Sequence, residues 1–174
     1  MMSSDKKKLI DESTRRAFQY EMEFGGCCQS VLAGVQEALN LRDRGAFKAA
    51  SALAGGIVRR GETCGALVGA IMAVCQVVGR DKIEDVEQYR MAMEPCGEVY
   101  LRFKEELGHT NCGEIQKSLF GRPFRLHKEE EYEAFLAAGG HGPEGCPVVC
   151  GKAAKIAAEK ILVLREDKSE STEI

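Results

Sequence analysis

The stretch that decides the fold is Gly55–Ala70, which reads GGIVRRGETCGALVGA. Gly55 and Gly56 predict the end of one apolar helix, and Thr63 predicts the cap of the next. Cys64 then falls in the first turn of that helix, where backbone N–H groups have no intrahelical partner. Because these donors and the positive end of the helix dipole favour thiolate over thiol, Cys64 is a candidate for redox chemistry or metal ligation.

The composition indicates one globular domain. The chain has 174 residues, of which 44% are hydrophobic and 29% charged, and this is ordinary for a domain with its own core. The net charge of −3 gives no electrostatic footprint for nucleic acid or an anionic membrane. We therefore expect neither as a partner.

The eight cysteines raise the question of compartment. The N-terminus, MMSSDKKK, has no apolar segment after its charges, so we expect no signal peptide. The longest apolar run, Gly65–Val78, is too short to span a bilayer and contains Gln76. We expect a cytoplasmic protein, in which structural disulfides are rare and clustered cysteines more often bind metal or cycle electrons.

Helical periodicity covers almost the whole chain, and no segment is typical of a strand. The most regular amphipathic segment, Val86–Leu107, is interrupted by Pro95, which predicts a kink or two stacked helices. The sequence predicts an all-α, single-domain bundle of about six to eight helices with the apolar helix 64–78 at its centre. Within the domain 1–174 we expect an N-terminal helix at 6–24, a cysteine-containing core at 25–164 and a frayed tail at 165–174. The core helices are predicted at 27–41, 47–54, 64–78, 86–107, 112–119, 128–138 and 147–164.

Four cysteines lie at predicted helix starts, namely Cys28, Cys64, Cys112 and Cys146. Asn111 predicts a cap just before Cys112. Pro147, which suits a first helical position, directly follows Cys146. Free N–H groups at each start would hydrogen-bond a thiolate sulfur and offset its charge. We therefore predict that these four side chains form one site, assembled from four separate helices.

The other four cysteines are weaker candidates. Cys75 and Cys96 lie within apolar stripes and are predicted to be small buried hydrophobic side chains. Cys27 and Cys150 are interpreted in the same way, but each is also the alternative ligand to the candidate at the same helix start. No Cys-x2-Cys pair occurs, so the spacing is not that of a zinc ribbon, a rubredoxin or a thioredoxin.

Two kinds of polar residue lie near the candidate cysteines. His109 and His141 fall in predicted loops, where they are interpreted as exposed surface residues, with a role as ligand or proton donor as the alternative. Arg59 and Arg60 are interpreted as solvated surface residues or as charge balance for the thiolates.

The cysteine-containing segments resemble the redox-active family that is named for its C_GCAxxG_C_C cysteine pattern. The similarity runs from CQSVL at 28–32 through the glycine pair at 55–56 to CGALVGA at 64–70, and on through Cys112 to CPVV at 146–149. It covers about residues 25–160, and GETCGAxxGA is its specific part. The resemblance implies a small helical protein with four essential cysteines, often associated with oxidoreductases or transporters. A related helical module in split-Soret cytochromes carries an iron–sulfur cluster, whereas covalent c-type haem is not expected because the chain has no Cys-x-x-Cys-His.

Three functions stay open at this point. The leading hypothesis is an electron-transfer protein with an iron–sulfur cluster, [2Fe–2S] being favoured, whose ligands are Cys28, Cys64, Cys112 and Cys146. The second is a metal-free thiol–disulfide redox protein. The third is a non-enzymatic metal-binding or adaptor subunit of a larger oxidoreductase, since thiolates also suit zinc or copper(I). The expected partner is a redox protein such as an oxidoreductase, while a homodimer and an enzymatic activity are both left open.

Overall fold

The computed structural model describes residues 4–172, with side chains through residue 167. This part of the chain contains eight α-helices and no strand, so the predicted all-α fold is confirmed. A short 3-10 turn, Ala50–Ala52, continues the third helix. The helices are α1 (Ser4–Phe24), α2 (Cys27–Leu39), α3 (Arg44–Ala49), α4 (Gly65–Val78), α5 (Val86–Leu107), α6 (Cys112–Phe120), α7 (Glu129–Ala137) and α8 (Cys146–Thr172).

The middle of the bundle is built from α4 and α8. The last helix packs against α1, α2, α4 and α5, and α4 packs against α2, α5 and α8. Their contact faces combine small side chains with branched ones, all fully buried, such as Ala70, Val74, Ala154 and Ile161. Each large branched side chain buried in this way contributes roughly 1.5–3 kcal/mol to folding. The apolar helix therefore has helices on three sides, which explains why its sequence lacks a polar face.

Gly69, the second glycine of the CGALVGA segment, allows α2 to pack closely against α4. A Cβ added at Gly69 would lie 2.4 Å from the carbonyl oxygen of Cys28 and 3.1 Å from Cβ of Val31. Real Cβ atoms essentially never approach a carbonyl oxygen as closely as the first distance, and the second is tight, so glycine is needed for this approach. The position of Gly69 in the motif therefore determines how closely the start of α2 packs on α4.

Several helix ends differ from the predicted ones. The third helix begins at Arg44 and not at residue 47, because the Asp43 side chain caps it by accepting a 2.9 Å hydrogen bond from the backbone N–H of Ala46. The fifth helix passes through Pro95 as one element. The last helix continues to Thr172, past the predicted end at about Leu164, and residues 173–174 of the predicted tail lie outside the described residues.

A second, smaller apolar cluster packs beside the bundle. Phe124, Leu126 and Phe135 are buried there, and Phe120 and Tyr132 pack against them together with Cys146. The phenylalanine rings meet edge to face at centroid distances of 5.7–5.9 Å, a favoured aromatic geometry. The cluster covers the end of the bundle at which α8 begins. Within residues 4–172, no helix is both long enough and apolar enough to cross a membrane.

Candidate functional site

The starts of four helices meet around one cavity of about 440 Å³. Cys27 is the first residue of α2, Cys64 is the N-cap of α4, Cys112 is the first residue of α6 and Cys146 is the first residue of α8. All four line the cavity, and Cys150, one turn further along the same face of α8, is the fifth cysteine in its wall. A cavity of this size far exceeds the ~10–15 Å³ that one ordered water needs.

The structure separates the two neighbouring cysteines at the start of α2. The Cys27 side chain lines the cavity, and a Cβ added at Gly65 would lie 2.5 Å from its sulfur. The Cys28 side chain points into the helical core, where its thiol contacts the Met72 sulfur at 3.8 Å. Three of the four predicted site residues, Cys64, Cys112 and Cys146, therefore come together, and the alternative residue Cys27 takes the place predicted for Cys28.

Cys64 occupies the N-cap position of α4, without a capping hydrogen bond from its side chain, whereas the sequence predicted Thr63 as the cap. Thr63 instead forms an isolated antiparallel bridge with Asn111. The backbone N–H of Cys64 donates to the Thr110 carbonyl at 2.8 Å, and the N–H of Cys112 donates to the Glu62 carbonyl at 2.6 Å. The two loops are thus joined backbone to backbone, and this bridge holds the thiols of Cys64 and Cys112 at one wall of the cavity. The predicted cap at Asn111 is present, because its side chain accepts from the Glu114 N–H at 3.1 Å.

The loop before α4 forms another wall and has an unusual backbone. Residues 55–59 all lie in the left-handed region, with φ of 61°, 68°, 60°, 44° and 62°. Ile57, Val58 and Arg59 occupy it without being glycine, at roughly 1–2 kcal/mol per residue. Hydrogen bonds from the N–H groups of Gly61 and Glu62 to the carbonyls of residues 55 and 56, at 3.1 and 3.0 Å, close the loop on itself. Strained backbone of this kind concentrates at functional sites.

Burial controls the acidity of the cavity thiols. It raises the pKa of Cys64 to about 11, although the backbone N–H groups of Ala66 and Leu67 act in the opposite direction. It raises the pKa of Cys112 to about 12, and it raises the pKa of the remaining cavity thiols well above the usual value. The Glu21 carboxylate raises the pKa of all five further. As free thiols these side chains are therefore protonated at neutral pH.

A buried polar chain borders the thiols, and sequence reasoning missed most of it. Glu21 is 2% exposed, accepts a hydrogen bond from the Ser30 hydroxyl at 3.1 Å and lies 3.1 Å from Nδ1 of His141. The Tyr132 hydroxyl lies 3.4 Å from Nε2 of the same imidazole. The histidine side chain is 23% exposed, so the preferred interpretation of His141 as an exposed residue is wrong. Nothing in the charged periodicity of α1 distinguishes Glu21 from its solvated neighbours.

Two further polar residues contact the site. Gln116 is 1% exposed, donates from Nε2 to the Cys112 sulfur at 3.4 Å and accepts from the Phe124 N–H at 2.7 Å. The Arg59 guanidinium lies 4.2 Å from the centroid of the Tyr132 ring, beside the cavity. At the rim, Phe24 and Val58 are 73% and 55% exposed. The site therefore has an apolar mouth, one adjacent cation and a polar inner wall.

The donors are spread around the cavity and do not meet at one point. Among the described residues, no three side chains of His, Cys, Asp or Glu converge closely enough to hold a metal ion. All eight cysteines are free, and no hydrogen bond joins two of the cavity sulfurs within this part of the chain.

The fold and the site together define an all-α protein with a thiol-lined cavity at converging helix starts. The family model described as "Putative redox-active protein (C_GCAxxG_C_C)" matches residues 26–160, and the chain belongs to this family, as the sequence resemblance predicted. An uncharacterized protein of Archaeoglobus fulgidus is 33% identical over 116 residues, which cover 63% of this chain and 77% of that relative. No solved structure matches the chain significantly.

Proposed function

We propose that this protein is a one-electron carrier that holds an iron–sulfur cluster in the thiol cavity, with Cys27, Cys64, Cys112 and Cys146 as ligands. The observation that carries the proposal is that these four cysteines, each at a helix start, line one cavity. Four thiolates are the usual ligand set of a [2Fe–2S] cluster. The cluster would supply the change of redox state, and a second redox protein would deliver or accept the electron.

The spread of the donors supports a cluster over a single ion. A mononuclear zinc or copper site needs three or four donors around one point, and no such group exists among the described residues. A [2Fe–2S] cluster would be held by four thiolates, and it would not require all four sulfurs around a single metal ion. Cysteines that line one cavity without converging on a point are compatible with such a cluster.

The charges around the cavity suit an anionic group. The backbone N–H groups of Ala66 and Leu67, at the start of α4, act on the Cys64 sulfur, where they and the positive end of the helix dipole favour a thiolate. The Arg59 guanidinium also lines the cavity. The hydrogen bond from Gln116 to the Cys112 sulfur favours the thiolate of that ligand. These groups partly offset the negative charge that four thiolates and Glu21 bring into the protein interior.

Metal-free thiol–disulfide cycling is the alternative in the same cavity, and two observations weigh against it. The cavity thiols have raised pKa values, whereas exchange requires a thiolate at working pH. No hydrogen bond joins two cavity sulfurs in the described part of the chain, so no pair is prearranged to form a bond.

The deciding experiment is iron and acid-labile sulfide analysis, with a visible spectrum, on protein purified without oxygen. We expect about two irons and two sulfides per chain and bands that dithionite bleaches. The neighbouring substitutions Cys27→Ser and Cys28→Ser form a matched pair, since only the first removes a cavity thiol. The first should abolish the bands and the second should keep them.

The same comparison applies to Cys146→Ser and Cys150→Ser, with the larger loss expected from the first. Colourless, iron-free protein that instead gains and loses disulfides in the cavity would replace the cluster by the thiol–disulfide alternative. Stoichiometric zinc without any redox change would favour an adaptor subunit. Loss of the bands in Cys28→Ser but not in Cys27→Ser would overturn the proposed ligand set.

A further inference from the structure

A second pair of sulfurs lies outside the thiol cavity. Cys75 on α4 and Cys96 on α5 face each other with their sulfurs 3.5 Å apart. Neither lines the cavity, and Cys75 follows Cys64 by eleven residues, which is about 16 Å along a helix axis. The sequence predicted both thiols to be small buried hydrophobic side chains. In the structure Cys75 is exposed, whereas Cys96 is buried, with 8% of its surface exposed.

We propose that Cys75 and Cys96 are a second redox site, a dithiol that reduces low-molecular-weight disulfides. Cys75 is the attacking residue and Cys96 the resolving one. The proposal stands whether or not the cavity holds a cluster, because it uses different side chains on a different part of the bundle.

The reaction balances as two exchanges. The Cys75 thiolate attacks one sulfur of a disulfide RSSR, forms a mixed disulfide with it and expels RS⁻. Cys96 then loses its proton and attacks the Cys75 sulfur, which forms the Cys75–Cys96 bond and expels the second RS⁻. The dithiol gives up two electrons, RSSR gains them, and the two thiol protons end on the two released thiolates.

The geometry assigns the two roles. Only Cys75 is open to solvent, and it borders a surface groove of about 430 Å³ with Met72 and Gln76. A groove of this size can receive a small disulfide. Cys96 lies behind it, so it reaches the mixed disulfide more readily than a second molecule of RSSR. The sulfurs must close from 3.5 Å to about 2.05 Å to form the bond, a movement of side-chain size.

The hydrogen bond between the thiols supports the same assignment. It lowers the pKa of Cys75 to about 7 and raises the pKa of Cys96. An attacking thiol works best when its pKa is close to the ambient pH. The cavity thiols have raised pKa values and are buried or half-buried, so Cys75 should react ahead of them.

The test uses the full chain, reduced and free of oxygen, mixed with oxidised glutathione at pH 7.5 and mapped by non-reducing peptide mass spectrometry. We expect the Cys75–Cys96 disulfide in the unsubstituted protein. Cys96→Ser removes the resolving thiol and should accumulate a glutathione adduct on Cys75. Cys75→Ser leaves only the buried thiol and should give at least tenfold less adduct. Cys28→Ser, which alters a thiol outside both sites, should behave like the unsubstituted protein.

The proposal is overturned if Cys75 and Cys96 stay free while cavity thiols oxidise, or if both single substitutions give equal amounts of adduct. Should circular dichroism show that either variant fails to fold, the deciding measurement is the pH dependence of Cys75 alkylation in the unsubstituted protein. An alkylation rate whose midpoint lies near pH 9 would refute the assigned role. Iron and sulfide content should be the same in Cys75→Ser and in the unsubstituted protein. Failure of this site can therefore be told apart from failure of the cluster proposal.

Discussion

The two groups of cysteines in this protein differ in their position on the helices and in the contacts between their sulfurs. The five cavity thiols come from the starts of three helices and the cap of a fourth, carry raised pKa values and form no hydrogen bond to one another. Cys75 and Cys96 come from helix interiors, share a hydrogen bond at 3.5 Å and leave one sulfur exposed. The first arrangement suits ligation by several separated sulfurs, and the second suits bond formation between two.

The contrast shows that a helix start does not by itself make a reactive thiolate. In the cavity, burial outweighs the favourable N–H groups, as the pKa of about 11 at Cys64 shows. At Cys75, one hydrogen bond from a neighbouring thiol outweighs burial and lowers the pKa to about 7. A local sequence signal therefore has to be weighed against desolvation, which depends on the whole fold.

The largest effect is expected from a substitution of Gly65, the motif glycine at the start of α4. In Gly65→Ala the new Cβ would lie 2.5 Å from both the Cys27 sulfur and the Leu53 carbonyl oxygen. We expect a loss of about 3 kcal/mol in the free energy of unfolding, together with loss of any bound cluster, measured by chemical denaturation and by visible absorption.

The matched control is Gly97→Ala, a helical glycine of α5 with no atom within 4 Å of the added Cβ. It should raise stability by about 0.5–1 kcal/mol. Equal effects of the two substitutions would contradict the close approach of α2 and α4 at the cavity.

The pH dependence of stability should separate the two groups by sign in reduced, metal-free protein. Cys64 and Cys112 have folded pKa values of about 11 and 12, above the ordinary value of 9.0. The unfolded chain loses these protons first, so their contribution is present below pH 9 and is lost as the pH rises through the folded values. We expect Cys112→Ser to flatten the alkaline decline measured by denaturation at pH 8 to 11, by about 1–2 kcal/mol.

Cys75 should show the opposite sign. Its folded pKa of about 7 lies below the ordinary value of 9.0, so its contribution is present above pH 9 and is lost as the pH falls through 7. The effect should be well below 1 kcal/mol, because the side chain is exposed to solvent.

A steeper alkaline decline in Cys112→Ser would show that burial does not control the pKa values of the cavity thiols.

Removing the buried carboxylate should sharpen the contrast. Glu21 raises the pKa of all five cavity thiols, so Glu21→Gln should lower these pKa values while a side-chain amide remains to hydrogen-bond with Ser30. In metal-free protein at pH 9 we expect the cavity thiols to be alkylated several-fold faster, because alkylation follows the thiolate fraction. Peptide mass spectrometry measures each site.

Cys75 serves as an internal control in that experiment, and its rate should not change. Glu37→Gln provides a second control, since Glu37 interacts with Arg16 and Tyr20 and does not line the cavity. If both glutamate substitutions accelerate alkylation alike, the effect comes from general loosening and not from the charge of Glu21.

The last prediction concerns the left-handed loop in the cavity wall. Val58 has φ of 44° and is 55% exposed, so Val58→Gly relieves backbone strain and removes little packing. We expect a gain of about 1 kcal/mol in the free energy of unfolding. The same change at Val163, which is 48% exposed on α8, should cost about 0.5–1 kcal/mol because the backbone there is helical. A loss at both positions would contradict the strain assigned to the loop.

The helices and their order could be predicted from the sequence because periodicity and capping are local signals. Asn111 caps α6 and Pro147 lies in the first turn of α8, as the residue types indicated. Cys64 came out as the cap and not as a first-turn residue, because the bridge to residue 111 takes up Thr63. That bridge joins segments almost fifty residues apart, and nothing in either segment alone indicates it.

The composition of the site was less predictable, since it depends on which way a side chain points after packing. Cys27 and Cys28 are adjacent at one helix start, and only the close approach at Gly65 and Gly69 decides that Cys27 turns to the cavity. The pairing of Cys75 with Cys96 depends on the register of α4 against α5. Both sit in apolar stripes, where sequence spacing gives no sign of a facing sulfur.

The spacing of the cavity cysteines along the chain has a consequence for how the protein is made. A metal knuckle built from nearby residues can close while most of its chain is still being translated. Here the proposed cysteine ligands, which line the cavity, extend along the chain from Cys27 to Cys146. The chain must therefore be translated into α8 before the cavity can be completed. A cofactor would then have to enter a cavity that is already folded, through the rim at Phe24 and Val58. Without a cofactor, the thiols are shielded from oxidants by their burial and by the protonation that burial favours.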